Sequence, residues 1–107
     1  MTIYISNAFS LAMVDGEDLN INIREVNLPD VIHKIQNFVS IVGHKDTAAV
    51  FSSLLNVKID CNRQSIKLTA NDVLYVGQLT GGRLPEGTTT LPENFKIKWL
   101  VVRVSDE

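Results

Sequence analysis

The sequence predicts an α/β fold: a single small domain whose mixed β-sheet of about five strands is flanked by helices. Three observations carry this reading. The chain has 107 residues, enough for one hydrophobic core and short of two. Several segments alternate apolar and polar residues with a period of two, the mark of strands with one buried face. Two others repeat their apolar residues at helical spacing, and strands interleaved with helices pack as a covered sheet.

In chain order, "TIYIS" (Thr2 to Ser6) sets Ile3 and Ile5 on one face and reads as a first strand. "NAFSLAMV" is polar or small at Asn7, Ala8 and Ser10, and the turn signal "DGED" comes after it. "LNINIREV" (Leu19 to Val26) alternates again, with Leu19, Ile21 and Ile23 in phase. The period changes in "NLPDVIHKIQNFVS". Pro29 suits a first helical position, and Val31, Ile32, Ile35, Phe38 and Val39 form one apolar stripe. His33 falls off that stripe and reads as a solvated surface residue. Gly43 and His44 interrupt the period, and Asp46 or Thr47 caps a second helix, "TAAVFSSLLN", buried through Val50, Phe51, Leu54 and Leu55. "VKIDC", "SIKLT" and "VLYVGQL" read as three short strands separated by turns at "NRQS" and "ANDV". "TGGRLPEGTTTLPEN" is a loop rich in glycine and proline, and "FKIKWLVVRVS" is the closing strand. No repeat or linker divides the chain, so residues 1–107 are read as one domain.

The composition excludes several classes. At 45% hydrophobic and 21% charged it is that of an ordinary soluble domain. No apolar run approaches the roughly 18 residues of a membrane span, and "MTIYISNAF" lacks the charged start and apolar middle of a signal peptide. A cytoplasmic location, in the host cell if the chain is viral, is therefore expected. The single cysteine, Cys61, leaves no internal disulfide and fits a reducing compartment. Cys61, His33 and His44 lack the spacing of a metal site, so neither a metal nor another cofactor is expected. The net charge of −2 argues against stable duplex DNA binding, which usually shows as a basic surplus. A small anion needs only a few placed cations.

Three polar islands interrupt this structural text: Asn7 to Ser10, Gly43-His44-Lys45-Asp46 at a helix start, and "GQLTGGRLPEG" with Gln78, Arg83 and Glu86. Each alone reads as turn residues, and Arg83 with Glu86 as a surface ion pair. Together they suggest one device. A helix N-terminus beside Lys45 favours a phosphate, and Arg83 can fork onto phosphate oxygens. Asn7, Ser10 and Gln78 offer neutral hydrogen bonds to sugar hydroxyls or base edges. Histidine is the side chain that most readily trades a proton near neutral pH. At a helix start the dipole favours its neutral ring and a bound phosphate its charged one.

"YISNAFSL", the "GH" before the second helix, and "LYV" with Gln78 followed by Arg83, Leu84 and Glu86-Gly87 resemble, in this order, the small viral and prophage ring nucleases that act as anti-CRISPR proteins against type III systems. The resemblance runs from Tyr4 to about Glu93, and "SNAFS" with the Gly43-His44 pair is its most specific part. It implies degradation of cyclic tetra-adenylate, the second messenger of type III CRISPR complexes, by a homodimer that uses no metal. It also implies a catalytic role for His44 and substrate contacts for Ser10, Gln78, Arg83 and Glu86, with Asn7 inside the matching motif. This chain departs from the pattern with Gly81-Gly82 before Arg83 and Pro85 after Leu84.

That implied chemistry agrees with the residues. RNA carries its own nucleophile, the 2′-hydroxyl, so a protein need only align it, stabilise the phosphate and protonate the leaving oxygen. A two-fold ring on a two-fold dimer predicts two cuts and linear di-adenylates. The rival readings are a non-catalytic module that binds nucleic acid or a cyclic nucleotide, and an interaction protein in which all three islands are turns.

Overall fold

The computed structural model describes residues 1–16 and 18–106, so Glu17 of the expected "DGED" turn lies outside the described residues. Its elements are β1 (Ile3–Ser6), a 3-10 turn (Leu11–Met13), β2 (Leu19–Val26), α1 (Leu28–Lys34), β3 (Val39–Ser40), α2 (Lys45–Leu55), β4 (Val73–Thr80) and β5 (Lys96–Asp106). The five strands form one mixed sheet in the order β2-β5-β4-β1-β3, an α/β domain as expected.

The sheet has two unlike halves. β1 runs parallel to both β3 and β4, whereas β5 is antiparallel to both β4 and β2. The chain leaves β3, forms α2, and returns as β4 on the far side of β1, the kind of crossover that parallel pairing requires. One sheet face carries the helices, over a core built from Ile5, Val31, Phe51, Leu55, Tyr75 and Trp99. Gly77 admits the tightest contact there. A Cβ at this position would lie 2.5 Å from the Phe51 ring and 2.7 Å from that of Trp99, two rings whose centroids are 5.0 Å apart. The other face packs Leu74, Val76 and Val102 beneath Ile41 and Leu68.

Local sequence and tertiary pairing disagree at three places. The stripe from Val31 to Val39 does not become one helix. α1 stops at Lys34, Asn37 takes a left-handed φ of 52°, and Val39 and Ser40 pair with Tyr4 and Ile5. Edge pairing to β1 outweighs the helical pattern, which leaves Ile32 38% exposed. Second, "VKIDC" and "SIKLT" form no strand. They reach the sheet through one parallel bridge, Val42 to Cys61, and through side chains: Ser40 Oγ donates to the Asp60 carbonyl (2.6 Å) and Asn62 Nδ2 to the Ser40 carbonyl (2.8 Å). Leu68 N–H donates to Met13 O at 2.7 Å, so "SIKLT" lies over the helix-free face, whereas Ile59 of "VKIDC" joins the helix-side core and donates its N–H to Ser52 Oγ of α2 at 2.8 Å. Third, the N-cap of α2 is His44, not Asp46 or Thr47, and it makes no side-chain capping bond. Asp46 and Thr47 lie in the first turn.

Candidate functional site

Parallel strands aim their carboxyl ends at one edge of a sheet, where α/β domains commonly hold ligands. Here β1, β3 and β4 are mutually parallel through β1. Their exits are Asn7, the Val42 to His44 segment and the loop after Thr80, which are the three polar islands of the sequence. Distant pieces of chain therefore meet because the strands before them are neighbours.

They meet around a cavity of about 510 Å³ lined by Asn7, His44, Lys45 and Arg83. His44 occupies the N-cap of α2 in an extended conformation, φ −126° and ψ 130°. Its carbonyl begins the helix by accepting from Ala48 N–H at 2.9 Å, while its imidazole is engaged in no capping bond and stays exposed. The first-turn N–H groups of an α-helix have no partner within the helix, and they carry the positive end of its dipole. Lys45 adds a full charge at the first helical residue. Asn7 ties the edge together: its Oδ1 accepts from Gly43 N–H at 3.3 Å, joining the exit of β1 to the start of α2. Arg83 comes after Gly81 and Gly82, both at positive φ (118° and 109°), a conformation glycine adopts without strain. The resulting bend returns the chain from β4 toward α2, and Arg83 forms no ion pair among the described residues.

The other sequence-selected residues sit apart from this cavity. Gln78 and Leu79 are successive strand residues and so point to opposite faces. Leu79 lines the His44 cavity, and Gln78 lines a neighbouring hollow of about 300 Å³ with Phe9, Ile23 and Leu100. Asn7 borders both. Ser10 is exposed, its Oγ accepting from Ala12 N–H at 3.1 Å as the cap of the 3-10 turn. Glu86 is exposed in the loop beyond Arg83 and lines neither hollow. The geometry adds Asp46, Thr47 and Leu84 to the cavity wall. Of these, Leu84 is signalled in the sequence by its place beside Arg83, whereas Asp46 and Thr47 carry the signature of cap residues and no mark of a ligand.

A larger hollow of about 690 Å³ lies between α1 and the sheet, near Leu28, Leu54 and Trp99. It holds none of the polar islands, and its Glu25 and Lys98 are an exposed pair 3.7 Å apart. Volume alone does not make it the better candidate. Among the described residues, no three His, Cys, Asp or Glu side chains gather in a way that could hold a metal ion, and no helix is long and apolar enough to cross a membrane.

Comparisons with known proteins converge on one group. The chain is 31% identical over 87 residues to uncharacterized protein 26 of Sulfolobus islandicus filamentous virus (isolate Iceland/Hveragerdi), covering 79% of this chain and 73% of the viral one. Its fold is similar to that of B116 of Sulfolobus turreted icosahedral virus, with a TM-score of 0.82 at 20% identity over 96% of this chain and 99% of the other. The family described as STIV B116-like matches residues 3–99, and the chain belongs to that family of viral proteins.

Proposed function

We propose that this protein is a metal-independent ring nuclease that opens cyclic tetra-adenylate into linear di-adenylates, thereby silencing type III CRISPR signalling. The observation that carries the proposal is the convergence of His44, Lys45, Arg83 and Asn7 on one cavity at the start of α2. That set can hold a phosphodiester and deliver a proton beside it.

In this reading a 2′-hydroxyl of the ring attacks its own adjacent phosphorus, and the bond to the 5′-oxygen breaks. The 2′-hydroxyl releases its proton to solvent. Protonated His44 donates to the departing 5′-oxygen, giving a 5′-hydroxyl and a 2′,3′-cyclic phosphate that water can open to a 3′-phosphate. Arg83, Lys45 and the first-turn N–H groups of α2 stabilise the charge gathering on the phosphoryl oxygens. Asn7, through Gly43, holds the exit of β1 against the helix start and so fixes the floor of the site. A homodimer presents two copies of His44 to opposite phosphates of a two-fold ring, which accounts for two cuts. Contacts from Ser10, Gln78 and Glu86, which sit apart from the cavity within one chain, belong to the same proposal.

One observation favours a second reading, a binding module that retains the ring intact. No side chain among the described residues orients the His44 imidazole, although catalytic hydrogen bonds often tighten only around a bound substrate. Incubating purified protein with cyclic oligoadenylates of several sizes, in EDTA, separates the two. Conversion of the tetra-adenylate ring to linear di-adenylate supports the nuclease. Stoichiometric binding with the ring recovered whole leaves the module, and activity restored only by magnesium or manganese removes the metal-free mechanism.

A further inference from the structure

On the helix-covered face a second cavity, about 330 Å³, lies between the sheet and α1 and shares no residue with the His44 cavity. Three cations line it: Arg24 of β2, Arg103 of β5 and Lys34 at the end of α1. Strand register explains their meeting. Arg24 pairs with Val101 and Asn22 with Arg103, so the two arginines are diagonal neighbours on one face. Val101 also pairs with Tyr75, which places Arg24, Val101 and Tyr75 in one row across three strands. Asp30 and Lys34, four residues apart on α1, close the cavity from the helix side.

Arg24, Asp30, Lys34 and Arg103 are all exposed, and two features distinguish this cluster from scattered surface charges. Like charges on diagonal strand neighbours repel. Yet among the described residues none of the three cations forms an ion pair, and the wall supplies one carboxylate, that of Asp30. In addition, Tyr75 is only 8% exposed and lines the cavity, and since no buried side-chain polar atom among the described residues lacks a partner, its hydroxyl, which bonds no protein group, is the part of the side chain that opens into the cavity. Burial pushes its phenol up, against the pull of Arg103 and Arg24, so the hydroxyl remains a neutral donor. Two guanidinium forks, an ammonium and a phenol O–H surround a space whose one anionic side chain is the Asp30 carboxylate.

We propose that this cavity binds a phosphate group, either inorganic phosphate or the terminal phosphomonoester of a nucleotide. Arg24 and Arg103 take its oxygens in forked contacts, Lys34 adds charge, and Tyr75 donates its hydroxyl proton in a hydrogen bond. Asp30 accepts from the P–OH of hydrogen phosphate, or from that of a phosphomonoester in its singly protonated form. Sulfate, which carries no such proton at neutral pH, meets the same carboxylate as a repulsion, so the site prefers phosphate to sulfate.

The test uses the full chain carrying Arg83→Ala, which weakens phosphate binding at the other cavity, and follows backbone amide shifts by NMR at constant ionic strength. Sodium phosphate should give saturable shifts centred on Arg24, Tyr75 and Arg103, with sulfate weaker by about tenfold or more. Arg103→Gln should weaken phosphate binding by about tenfold, and Tyr75→Phe by several-fold with the fold unchanged. Asp30→Asn should narrow the gap between phosphate and sulfate. Adenosine 3′-monophosphate is compared at about pH 6, where the monoester keeps much of its P–OH: binding as tight as phosphate identifies a site that reads the phosphate alone, and tighter binding identifies a nucleotide end as its source. Shifts that rise linearly without saturating, that chloride reproduces, or that persist unchanged in both Arg103→Gln and Tyr75→Phe would overturn the proposal.

Discussion

The two halves of the sheet solve different problems. In the antiparallel half, β2, β4 and β5 are eight, eight and eleven residues long. They pair over nearly their whole length and carry the Phe51–Trp99 packing against Gly77. In the parallel half, β1 has four residues and β3 only two, and the chain reaches Asn7 and His44 within a few residues of leaving them. Long antiparallel ladders hold the domain together. The short strands β1 and β3 stop early, and their exits together with that of the longer β4 surround the His44 cavity. Under the proposed function, a substitution in the long ladders should therefore be read in stability and one at the strand exits in cleavage.

The largest expected effect tests the parallel edge. His44→Ala should lower the single-turnover cleavage rate by about 10²–10⁴ while the ring still binds, the usual worth of a general acid. The thermal midpoint should stay within a degree or two, because this side chain caps nothing. Cleavage within a few-fold of wild type would return His44 to the status of an ordinary loop residue. Gly77→Ala tests the opposite half. Its new methyl group has no room between two aromatic rings, and overpacking typically costs about 1–3 kcal/mol. Calorimetry should show the midpoint falling by about 4–8 °C for each of those kcal/mol, with the rate per folded molecule kept. Unchanged melting with impaired cleavage would reverse the assignment of roles.

Asn7 should break the separation, since it borders both hollows and ties β1 to α2. Asn7→Ala removes the acceptor for Gly43 N–H, a loss of about 1 kcal/mol. Stability and ring affinity should both drop modestly, read by denaturant midpoint and by titration. The smallest effect is on pH. An unfolded tyrosine ionises near pH 10, and burial raises Tyr75 above that in the folded chain. A raised acid stabilises the fold fully below the unfolded value and loses that contribution as pH rises through the folded one. Unfolding free energy should thus decline above about pH 10, less steeply in Tyr75→Phe, and identical slopes would mean another group governs the alkaline limb.

The same division explains what was legible. β2 could be read because Leu19 to Val26 alternates, and α2 because Val50, Phe51 and Leu55 share one face. Both signals are local. β3 could not: Val39 and Ser40 become a strand only through Tyr4 and Ile5, far away in sequence. "VKIDC" and "SIKLT" have strand composition, but beyond β3 they form one bridge and are anchored by Ser40 and Asn62 instead. The polar islands stand out as residue types, whereas their meeting depends on which strands are parallel. Gln78 shows the limit most sharply. It stands in the same strand as Leu79 and only one residue away, and the period-two pleat sends it to the other face. The phosphate cavity is invisible in the sequence, because Arg24, Tyr75 and Arg103 come together only through register.

The place of β1 between β4 and β3 has a consequence for how the molecule is made. This strand leaves the ribosome well before its partners: Tyr4 pairs with Val39 and with Leu74. Contacts so distant along the chain slow folding, because loop closure must precede any reward from pairing. The strand has no complete bed until β4 has emerged, and the edge that holds His44 is unfinished until Arg83 joins it. Under the proposed function, a growing chain therefore lacks a complete site at this edge until β4 and Arg83 have emerged and β5 has closed the sheet behind them.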